Sequence, residues 1–349
     1  MEYIALGCMT GTSLDGIDCS LIKSDGISEV KEISNNFTPY SSAIKKELLK
    51  IMKCNYLDNL EIFKLLNNEY QSAINKFISK NNSKIDVIGI HGQTIFHDSS
   101  IKISIQLYDK KLKYNTQAPI ICNFRKNDIL NGGSGAPIIP IYHQIIANQL
   151  KIDSSIFINI GGVTNITLIE NNKITAGDSS YGNALINDIL SLRTNYDFDF
   201  NGNLSKSGKI IDTLSDKILN DKYFKKKLPK SLDRNHFHQY LKDVKDDFPI
   251  EDVIYTLLSV IPESINRIID SKKKYKIILM GGGRKNLTLI KLFQNKFKDV
   301  SLIDDYDLDG DFIESQGMGL LAIRYLNKIH STYKSTTGIS KDIYLGEKC

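Results

Sequence analysis

The sequence lacks any long uninterrupted apolar segment. Its 349 residues are 41% hydrophobic and 24% charged, which are ordinary values for a globular protein. A membrane-spanning helix needs roughly 18 or more apolar residues in succession, and no segment approaches that length. We therefore expect a soluble protein without a membrane partner.

A secretory signal and a disulfide framework are missing as well. Residues 1–6 enter an apolar strand pattern at once, without the basic and long apolar regions of a signal peptide. The five cysteines are widely spaced and odd in number, which is untypical of a metal cluster or a set of disulfides. We interpret them as packing residues in a reducing compartment and expect a cytoplasmic protein. They are Cys8, Cys19, Cys54, Cys122 and Cys349.

Positive charge is modest and local. The formal charge of +5 comes largely from short lysine runs such as residues 225–227 and 272–274, which lack interleaved aromatic residues. Such runs are usually solvated surfaces, and nucleic-acid binding would require a broader basic stripe. We therefore expect no nucleic-acid partner, although the balance suits an anionic nucleotide.

Strand-like and helix-like patterns alternate along the chain. Runs rich in β-branched residues alternate with longer segments of helical period, which is typical of an α/β protein with a mixed or parallel sheet. The predicted strands are residues 3–9, 17–23, 85–90, 119–123, 155–160, 164–169 and 275–280. The predicted helices are residues 42–53, 57–80, 138–150, 183–192, 250–270, 286–297 and 312–329. Because the chain is longer than one core usually serves, two lobes with a ligand cleft between them are expected.

A glycine-rich segment, residues 11–18, lies between the first two predicted strands. Glycines and small hydroxyl residues can turn backbone N–H groups toward an anion there. Asp15 or Asp18 can hold Mg²⁺ through water, because this ion prefers oxygen ligands and keeps its waters. The alternative is a tight turn capped by its Asp and Ser side chains. The candidate phosphate-binding residues are Gly11, Thr12, Ser13, Leu14, Asp15, Gly16, Ile17 and Asp18.

Two further glycine-rich segments carry related chemistry. Residues 159–165 repeat the strand, turn and strand of the first segment at the start of the second half, which indicates a duplicated lobe. Residues 281–286 follow a buried-type strand and lead into a helix, where bare backbone can approach a ring or a phosphate. The sequence lacks the Gly-Lys-Ser/Thr ending of a P-loop. The candidate nucleotide-binding residues are Gly161, Gly162, Asn165, Gly281, Gly282, Gly283 and Asn286.

Taken in order, these motifs resemble those of the anhydro-N-acetylmuramic acid kinase family. The resemblance covers nearly the whole chain, and the set is specific because order and spacing hold from end to end. The matching segments are residues 11–18, 91–97, 132–137 with His143, 159–165, 182–183, 230–231 with Arg234 and Phe237, 281–283, and Glu314.

The resemblance implies a two-lobed, actin-like (ribonuclease H-like) α/β kinase fold with an interlobe cleft. Lobe I would comprise residues 1–130 with a C-terminal return of 318–349, and lobe II residues 131–317. The family implies that three loops grip ATP with Mg²⁺. It also implies that water opens the 1,6-anhydro bond of the amino sugar while O6 is phosphorylated, giving N-acetylmuramic acid 6-phosphate. A homodimer is implied by the family alone.

By motif position, the base that activates the water is Asp178. One carboxylate near the sugar suffices for this role, because phosphoryl transfer asks the protein mainly for positioning and charge neutralisation. The alternative is that Asp178 caps the N-terminus of the helix predicted near Asn183.

The resemblance also assigns residues to the sugar. Arg125 can bind the lactyl carboxylate through its fork of donors. Glu314 is a candidate for hydrogen bonds to sugar hydroxyls, or else a helix-start acid that favours the helix dipole. His91 and Gln93 are further candidates, although a histidine in such a context is more often structural. The predicted substrate-binding residues are His91, Gln93, Arg125, Gly135, Ala136 and Glu314.

The sequence departs from the family pattern at five positions. Ser180 and Tyr181 replace the Gly and Pro beside the base, and a tyrosine ring there is expected to change the volume of the cleft. Asn123, Asn127 and Asn187 replace charged residues. Two alternatives therefore stay open: an actin-like kinase for another sugar, and a nucleotide-binding relative that has lost its chemistry.

Overall fold

The computed structural model describes residues 1–11, 14–54, 60–98 and 101–349. The chain divides into two compact units, one formed by Met1–Lys151 with Phe312–Cys349 and the other by Ile152–Asp311. The sequence-based boundaries place residues 131–151 in the second lobe, whereas this division places them in the first unit. One reason is that the Gln149 side chain accepts from the backbone N–H of Val30 and donates to its carbonyl, at 3.2 and 3.0 Å.

The strands are β1 (Tyr3–Met9), β2 (Gly16–Ser24), β3 (Val30–Pro39), β4 (Val87–Ile90), β5 (Gln93–Asp98), β6 (Ile103–Leu107), β7 (Ile120–Cys122), β8 (Ser154–Ile160), β9 (Val163–Glu170), β10 (Lys173–Tyr181), β11 (Lys276–Met280), β12 (Val300–Leu302) and β13 (Glu347–Lys348). The helices are α1 (Ser42–Cys54), α2 (Leu60–Lys80), α3 (Phe124–Leu130), α4 (Pro140–Gln149), α5 (Asn183–Arg193), α6 (Asp212–Leu219), α7 (Ile250–Asn266), α8 (Leu287–Lys296), α9 (Ile313–Leu326) and α10 (Lys334–Thr337). No helix within the described ranges combines the length and the apolarity needed to cross a bilayer.

The two units repeat one sheet topology. The first sheet has the order β13-β7-β4-β1-β2-β3 and the second the order β10-β9-β8-β11-β12. In each, the first three strands pair antiparallel, and the first strand pairs parallel with the next strand across the sheet. The repeated order confirms the predicted α/β class of two-lobed, actin-like type.

Each unit has its own hydrophobic core. In the second unit, alternate residues of β8 and β11 pack against α5 and α7, and the core includes Tyr181 and Phe237. In the first unit, the core lies between the sheet and helices α1 and α2. The central strands are buried on both faces, which explains why their sequences are nearly continuous apolar runs.

The interpretation of the cysteines is wrong for one pair. Cys122 and Cys349 form a disulfide across a sequence separation of 227 residues. The pairing follows from the C-terminal strand β13, which lies antiparallel to β7 and brings the chain end beside Cys122. Cys8 and Cys19 are buried thiols that face each other across β1 and β2, with their Sγ atoms 3.4 Å apart.

Candidate functional site

Asp178 lies on strand β10, near its end. The pairing of β10 with β9 shifts by one position between Asp178 and Ser180, which marks a bulge. Bulges bend a strand and re-aim the side chain beside them, and they are common next to active sites. The alternative role as a helix cap is wrong, because α5 begins at Asn183 and its N-cap residue is Gly182.

Three hydrogen bonds fix Asp178 on this bulge. Its backbone N–H donates to the carbonyl of Lys230 at 2.8 Å. The backbone N–H of Leu232 donates to Asp178 Oδ2 at 2.8 Å, and the Tyr223 hydroxyl donates to the Asp178 carbonyl at 2.7 Å. Burial, aided by the charge of Asp178, raises the pKa of Tyr223, so this hydroxyl stays protonated and keeps donating. Both the backbone and one carboxylate oxygen of Asp178 are therefore held in place.

Gly177 allows strand β10 to lie close to the segment of residues 228–230. A Cβ atom at Gly177 would lie 2.7 Å from the Lys230 carbonyl oxygen and 2.8 Å from Leu228 Cδ2, and φ is +158°. Only glycine fits this close approach without a shift of the neighbouring backbone. The Gly-Asp pair of the motif is thus a packing requirement as well as a chemical one.

The second glycine segment forms the turn between β8 and β9. Asn183 N–H donates to the Gly161 carbonyl at 2.8 Å, and Gly182 N–H donates to the Gly162 carbonyl at 3.0 Å. These bonds place the turn at the N-terminus of α5. Asn165 on β9 is the direct cross-strand partner of Asp178. Gly161, Gly162, Asn165 and Asp178 are therefore brought together within one unit.

The third glycine segment lies beside the second. Gly281 has φ of +73°, and a Cβ atom there would collide with Asn159 Oδ1. A Cβ atom on Gly282 would be 3.8 Å from Asn183 Nδ2. Asn286 caps helix α8, its side-chain oxygen accepting from Leu289 N–H at 3.0 Å. The carboxyl ends of β8 and β11 thus carry adjacent loops of nearly bare backbone.

Arg284 anchors the third segment. Its Nε and Nη2 donate to the two carboxylate oxygens of Asp304 at 2.7 and 2.9 Å. Its Nη1 donates to Asp311 Oδ1 at 2.7 Å and to the Gly281 carbonyl at 3.1 Å. Sequence reasoning missed this role, because the two aspartates lie far along the chain from the glycines.

In the first unit, the hairpin between β1 and β2 is described in part. Thr12 and Ser13 lie outside the described residues. Leu14 is buried, has φ of +59°, and donates its N–H to the Gly11 carbonyl at 3.3 Å. Gly16 and Ile17 begin β2. The predicted contacts of this hairpin with phosphates stay a prediction.

The two acids predicted to hold Mg²⁺ differ in setting. Asp15 is exposed, and its Oδ1 lies 3.6 Å from Lys45 Nζ. Asp18 is on β2 opposite Met9. Within the described part of the chain, no group of three or more His, Cys, Asp or Glu side chains is placed to hold a metal ion. The two carboxylates still fit the water-mediated binding that Mg²⁺ favours, because such binding uses one or two carboxylates and the nucleotide's own phosphates.

Gln93 supports the same hairpin. Its Nε2 donates to the Gly11 carbonyl at 3.1 Å, and its Oε1 accepts from the Tyr40 hydroxyl at 3.1 Å. The side chain is fully buried. Gln93 therefore braces the glycine loop, while its predicted contact with substrate stays a prediction.

His91 directs Arg125. Arg125 Nε donates to His91 Nε2 at 2.8 Å, and His91 Nδ1 lies 2.8 Å from the Gly92 carbonyl oxygen. Because a guanidinium can only donate, Nε2 must be the accepting nitrogen and Nδ1 carries the proton. Burial, reinforced by the Arg125 charge, lowers the pKa of His91 to about 3. The neutral ring thus orients the guanidinium that is predicted to bind a carboxylate.

A buried carboxylate holds the segment that contains Gly135 and Ala136. Asp128 Oδ2 accepts from Gly135 N–H at 2.7 Å. Its Oδ1 accepts from the hydroxyls of Thr332 and Thr337 at 2.9 and 2.6 Å. Asp128 is fully buried, so these donors compensate its charge. Sequence reasoning missed this residue, although it is the acid of the run 123–128.

Glu314 lies in the first turn of α9, as predicted. The next residue, Ser315, shares a 2.6 Å hydrogen bond with Ser20 on β2, which fixes the start of the helix on the sheet. Both the sugar contact and the helix-dipole role therefore stay open for Glu314.

The departures from the family pattern lie in well-packed places. Tyr181 is buried in the core of the second unit, its hydroxyl donating to the Leu257 carbonyl at 2.9 Å. The expected effect of this ring on cleft volume is therefore wrong, because the ring packs inward against Phe237. Asn123 Nδ2 donates to Glu347 Oε1 at 2.6 Å, and Asn127 Nδ2 to the Gly346 carbonyl at 2.8 Å. Both amides thus bind the C-terminal segment.

Two α/β units of one topology, each with a glycine turn between its first two strands, define an α/β protein of the actin-like class. The model of the family "Anhydro-N-acetylmuramic acid kinase" matches residues 2–349, and the chain belongs to this family.

Similar proteins of known sequence carry the same description. An anhydro-N-acetylmuramic acid kinase from Pelagibacter ubique is 36% identical, over 97% of this chain and 96% of that protein. One from Zymomonas mobilis is 32% identical, over 96% of each. Among solved structures, a ROK family glucokinase from Streptomyces griseus in complex with glucose and AMPPNP shares 10% identity, covering 91% of this chain and 99% of that one, with a TM-score of 0.41. That similarity is too low to support a shared function.

Proposed function

We propose that this protein is an ATP-dependent kinase that opens the 1,6-anhydro bond of anhydro-N-acetylmuramic acid with water and phosphorylates O6. The product is N-acetylmuramic acid 6-phosphate, an intermediate in the recycling of cell wall. The proposal is supported by membership of the family. The observation that carries it is a single carboxylate, Asp178, fixed on a bulged strand beside two loops of nearly bare backbone.

In this proposal the glycine segments bind ATP. Residues 161–162 and 281–283 present backbone at the carboxyl ends of β8 and β11, where a phosphate or a ring can approach closely. The hairpin of residues 11–18 supplies the second phosphate contact, and Asp15 and Asp18 would hold the waters of Mg²⁺. When bound, this ion neutralises charge on the phosphates. The protein would act in the cytoplasm, and as a homodimer.

The chemistry assigned to Asp178 is proton removal. Its carboxylate accepts a proton from the water that attacks C1 of the sugar. The C1–O6 bond breaks, O6 takes the γ-phosphoryl group, and ADP leaves. Arg125, aimed by His91, would bind the lactyl carboxylate of the sugar and so fix the ring for attack.

Replacement of the base tests this assignment. We expect Asp178→Asn to lower kcat by about 10² to 10⁴, the usual contribution of a general base, while the affinity for ATP is unchanged. Asp216→Asn is the matched control, because Asp216 is an exposed acid on α6 of the same unit. Release of the 6-phosphosugar would be followed by chromatography, and ATP binding by calorimetry.

An Asp178→Asn protein that turns over as fast as the parent would show that the base is misassigned. A parent protein that phosphorylates ordinary hexoses but ignores the anhydro sugar would instead favour a kinase for another sugar. Tight ATP binding without transfer to any sugar would favour a relative that has lost its chemistry.

A further inference from the structure

A buried lysine packs beside the proposed base. Lys230 is only 9% exposed, an unusual setting for an ammonium group. Its Nζ lies 4.3 Å from the centroid of the Tyr223 ring and donates to the Tyr223 carbonyl at 3.3 Å. The same tyrosine donates its hydroxyl to the Asp178 carbonyl, and Asp178 N–H donates to the Lys230 carbonyl. Lys230, Tyr223 and Asp178 therefore form a closed set of contacts.

Two charged residues influence the ammonium group of Lys230. The charge of Asp178 on β10 favours the ammonium form of Lys230, while Lys226, after the short helix Lys222–Lys225, is a like charge that disfavours it. A buried ammonium is costly unless an opposite charge or a set of hydrogen bonds compensates it. An aliphatic side chain of similar length would fill the same space without that cost. The positive charge at this position therefore has a use beyond packing.

We propose that Lys230 is a positioning residue for the reaction, which keeps the Asp178 carboxylate ionised and, through Tyr223, holds the Asp178 backbone in place. This inference rests on the proposed function, because it takes Asp178 as the base. A nearby positive charge favours the carboxylate form. The ring of Tyr223, covered by the ammonium, is held so that its hydroxyl reaches the Asp178 backbone.

Lys230 loses its charge at a lower pH than an exposed lysine does. Burial lowers the pKa of Lys230 to about 8; Lys226 adds to that effect, and Asp178 opposes it. Below this pH, Lys230 is protonated and stabilises the Asp178 carboxylate. Above it, the positive charge beside the base is lost.

Three variants of the full chain test the inference with ATP, Mg²⁺ and anhydro-N-acetylmuramic acid. We expect Lys230→Met to lower kcat about tenfold and to move the acid limb of the pH profile of kcat/KM up by about one unit, since one pKa unit is a tenfold change in the charged form. The KM for ATP should not change. Lys230→Arg should restore the position of the acid limb. Lys226→Met, which removes a lysine from the same ring at 5.7 Å, should keep the parent's kcat and the position of its acid limb.

A Lys230→Met protein with the parent's kcat and pH profile would overturn the inference. Because this variant can fail to fold, a second measurement uses the parent and Asp178→Asn, each with ¹³C-methylated lysines followed by NMR. The pKa of Lys230 should fall in Asp178→Asn, since a stabilising negative charge is removed; an unchanged pKa also overturns the inference. Retained turnover in Asp178→Asn would instead contradict the assignment of Asp178 as the base. Failure of the inference on Lys230 can therefore be distinguished from failure of the proposed function.

Discussion

At the residue scale, several side chains act by directing others. His91 accepts from Arg125, and Gln93 braces the carbonyl of Gly11. Asp128 and Tyr223 hold backbone groups of Gly135 and Asp178 in the same way. Such support fixes a site more precisely than the contacting residues alone can.

The buried histidines make stability depend on pH. Burial lowers the pKa of His91 to about 3. Burial is also the main reason why the pKa values of His97 and His143 are lowered to about 3. The pKa of a histidine in the unfolded chain is about 6.5. Below that pH, these histidines are protonated in the unfolded chain but stay neutral in the folded protein. The free energy of unfolding should therefore fall as pH drops from about 6.5 toward 3, by about 1.4 kcal/mol per pH unit for each such histidine.

Chemical denaturation of the parent and of His91→Gln between pH 6.5 and 4.5 checks this expectation. The free energy of unfolding of the variant should fall less steeply with falling pH, because one of the histidines that stay neutral in the folded protein has been removed. His330→Gln is the control, since His330 is exposed. Identical slopes for the parent and His91→Gln would contradict a neutral, buried His91.

At the scale of elements, loops at the ends of strands are held by side chains from distant segments. The third glycine segment is tied through Arg284 to Asp304 and Asp311. Segment 228–232 is tied to β10 through the Asp178 backbone and carboxylate. Both segments are thus held in place by hydrogen bonds to residues elsewhere in the chain.

Removal of the Arg284 anchor should loosen the third glycine segment. We expect Arg284→Met to weaken ATP binding about tenfold and to lower the free energy of unfolding by about 1–3 kcal/mol, because charged hydrogen bonds at a buried guanidinium are lost. Lys285→Met is the matched control, since exposed Lys285 shares the partner Asp311 at 2.6 Å. Calorimetric ATP titration and denaturation measure both effects. Equal ATP affinity in the two variants would contradict the anchoring role.

The spacing of apolar residues is sufficient to predict the buried strands and the long helices, and the observed ends lie within a few residues of those predicted. It failed for β10, because Gly177 and the bulge after Asp178 break the alternation that marks a strand. It also missed β3, an edge strand whose sequence is largely polar. Part of the predicted second helix, residues 57–59, lies outside the described residues.

The candidate site was predictable only where local motifs carry it. The glycine turns and Asp178 stand in recognisable runs. Three further residues are not predictable in this way, because they contact distant segments or make contacts that no local spacing encodes: Tyr223, Lys230 and Asp128. The disulfide likewise joins residues that are 227 positions apart. Long-range contacts of this kind leave no period in a single sequence.

At the scale of the whole molecule, one sheet topology is used twice. The second unit carries Asp178 with two glycine segments, and the first carries Arg125, His91 and the remaining hairpin. A duplicated fold of this kind places equivalent turns at equivalent strand ends. The proposed base and the arginine proposed to bind a carboxylate thus belong to different units.

The most direct test is the mass of the product formed from ATP, Mg²⁺ and anhydro-N-acetylmuramic acid in isotopically heavy water. Water attack at C1 with transfer to O6 predicts a product that gains one phosphoryl group and one heavy oxygen. A product that gains phosphate without heavy oxygen, or heavy oxygen without phosphate, would contradict the proposed reaction.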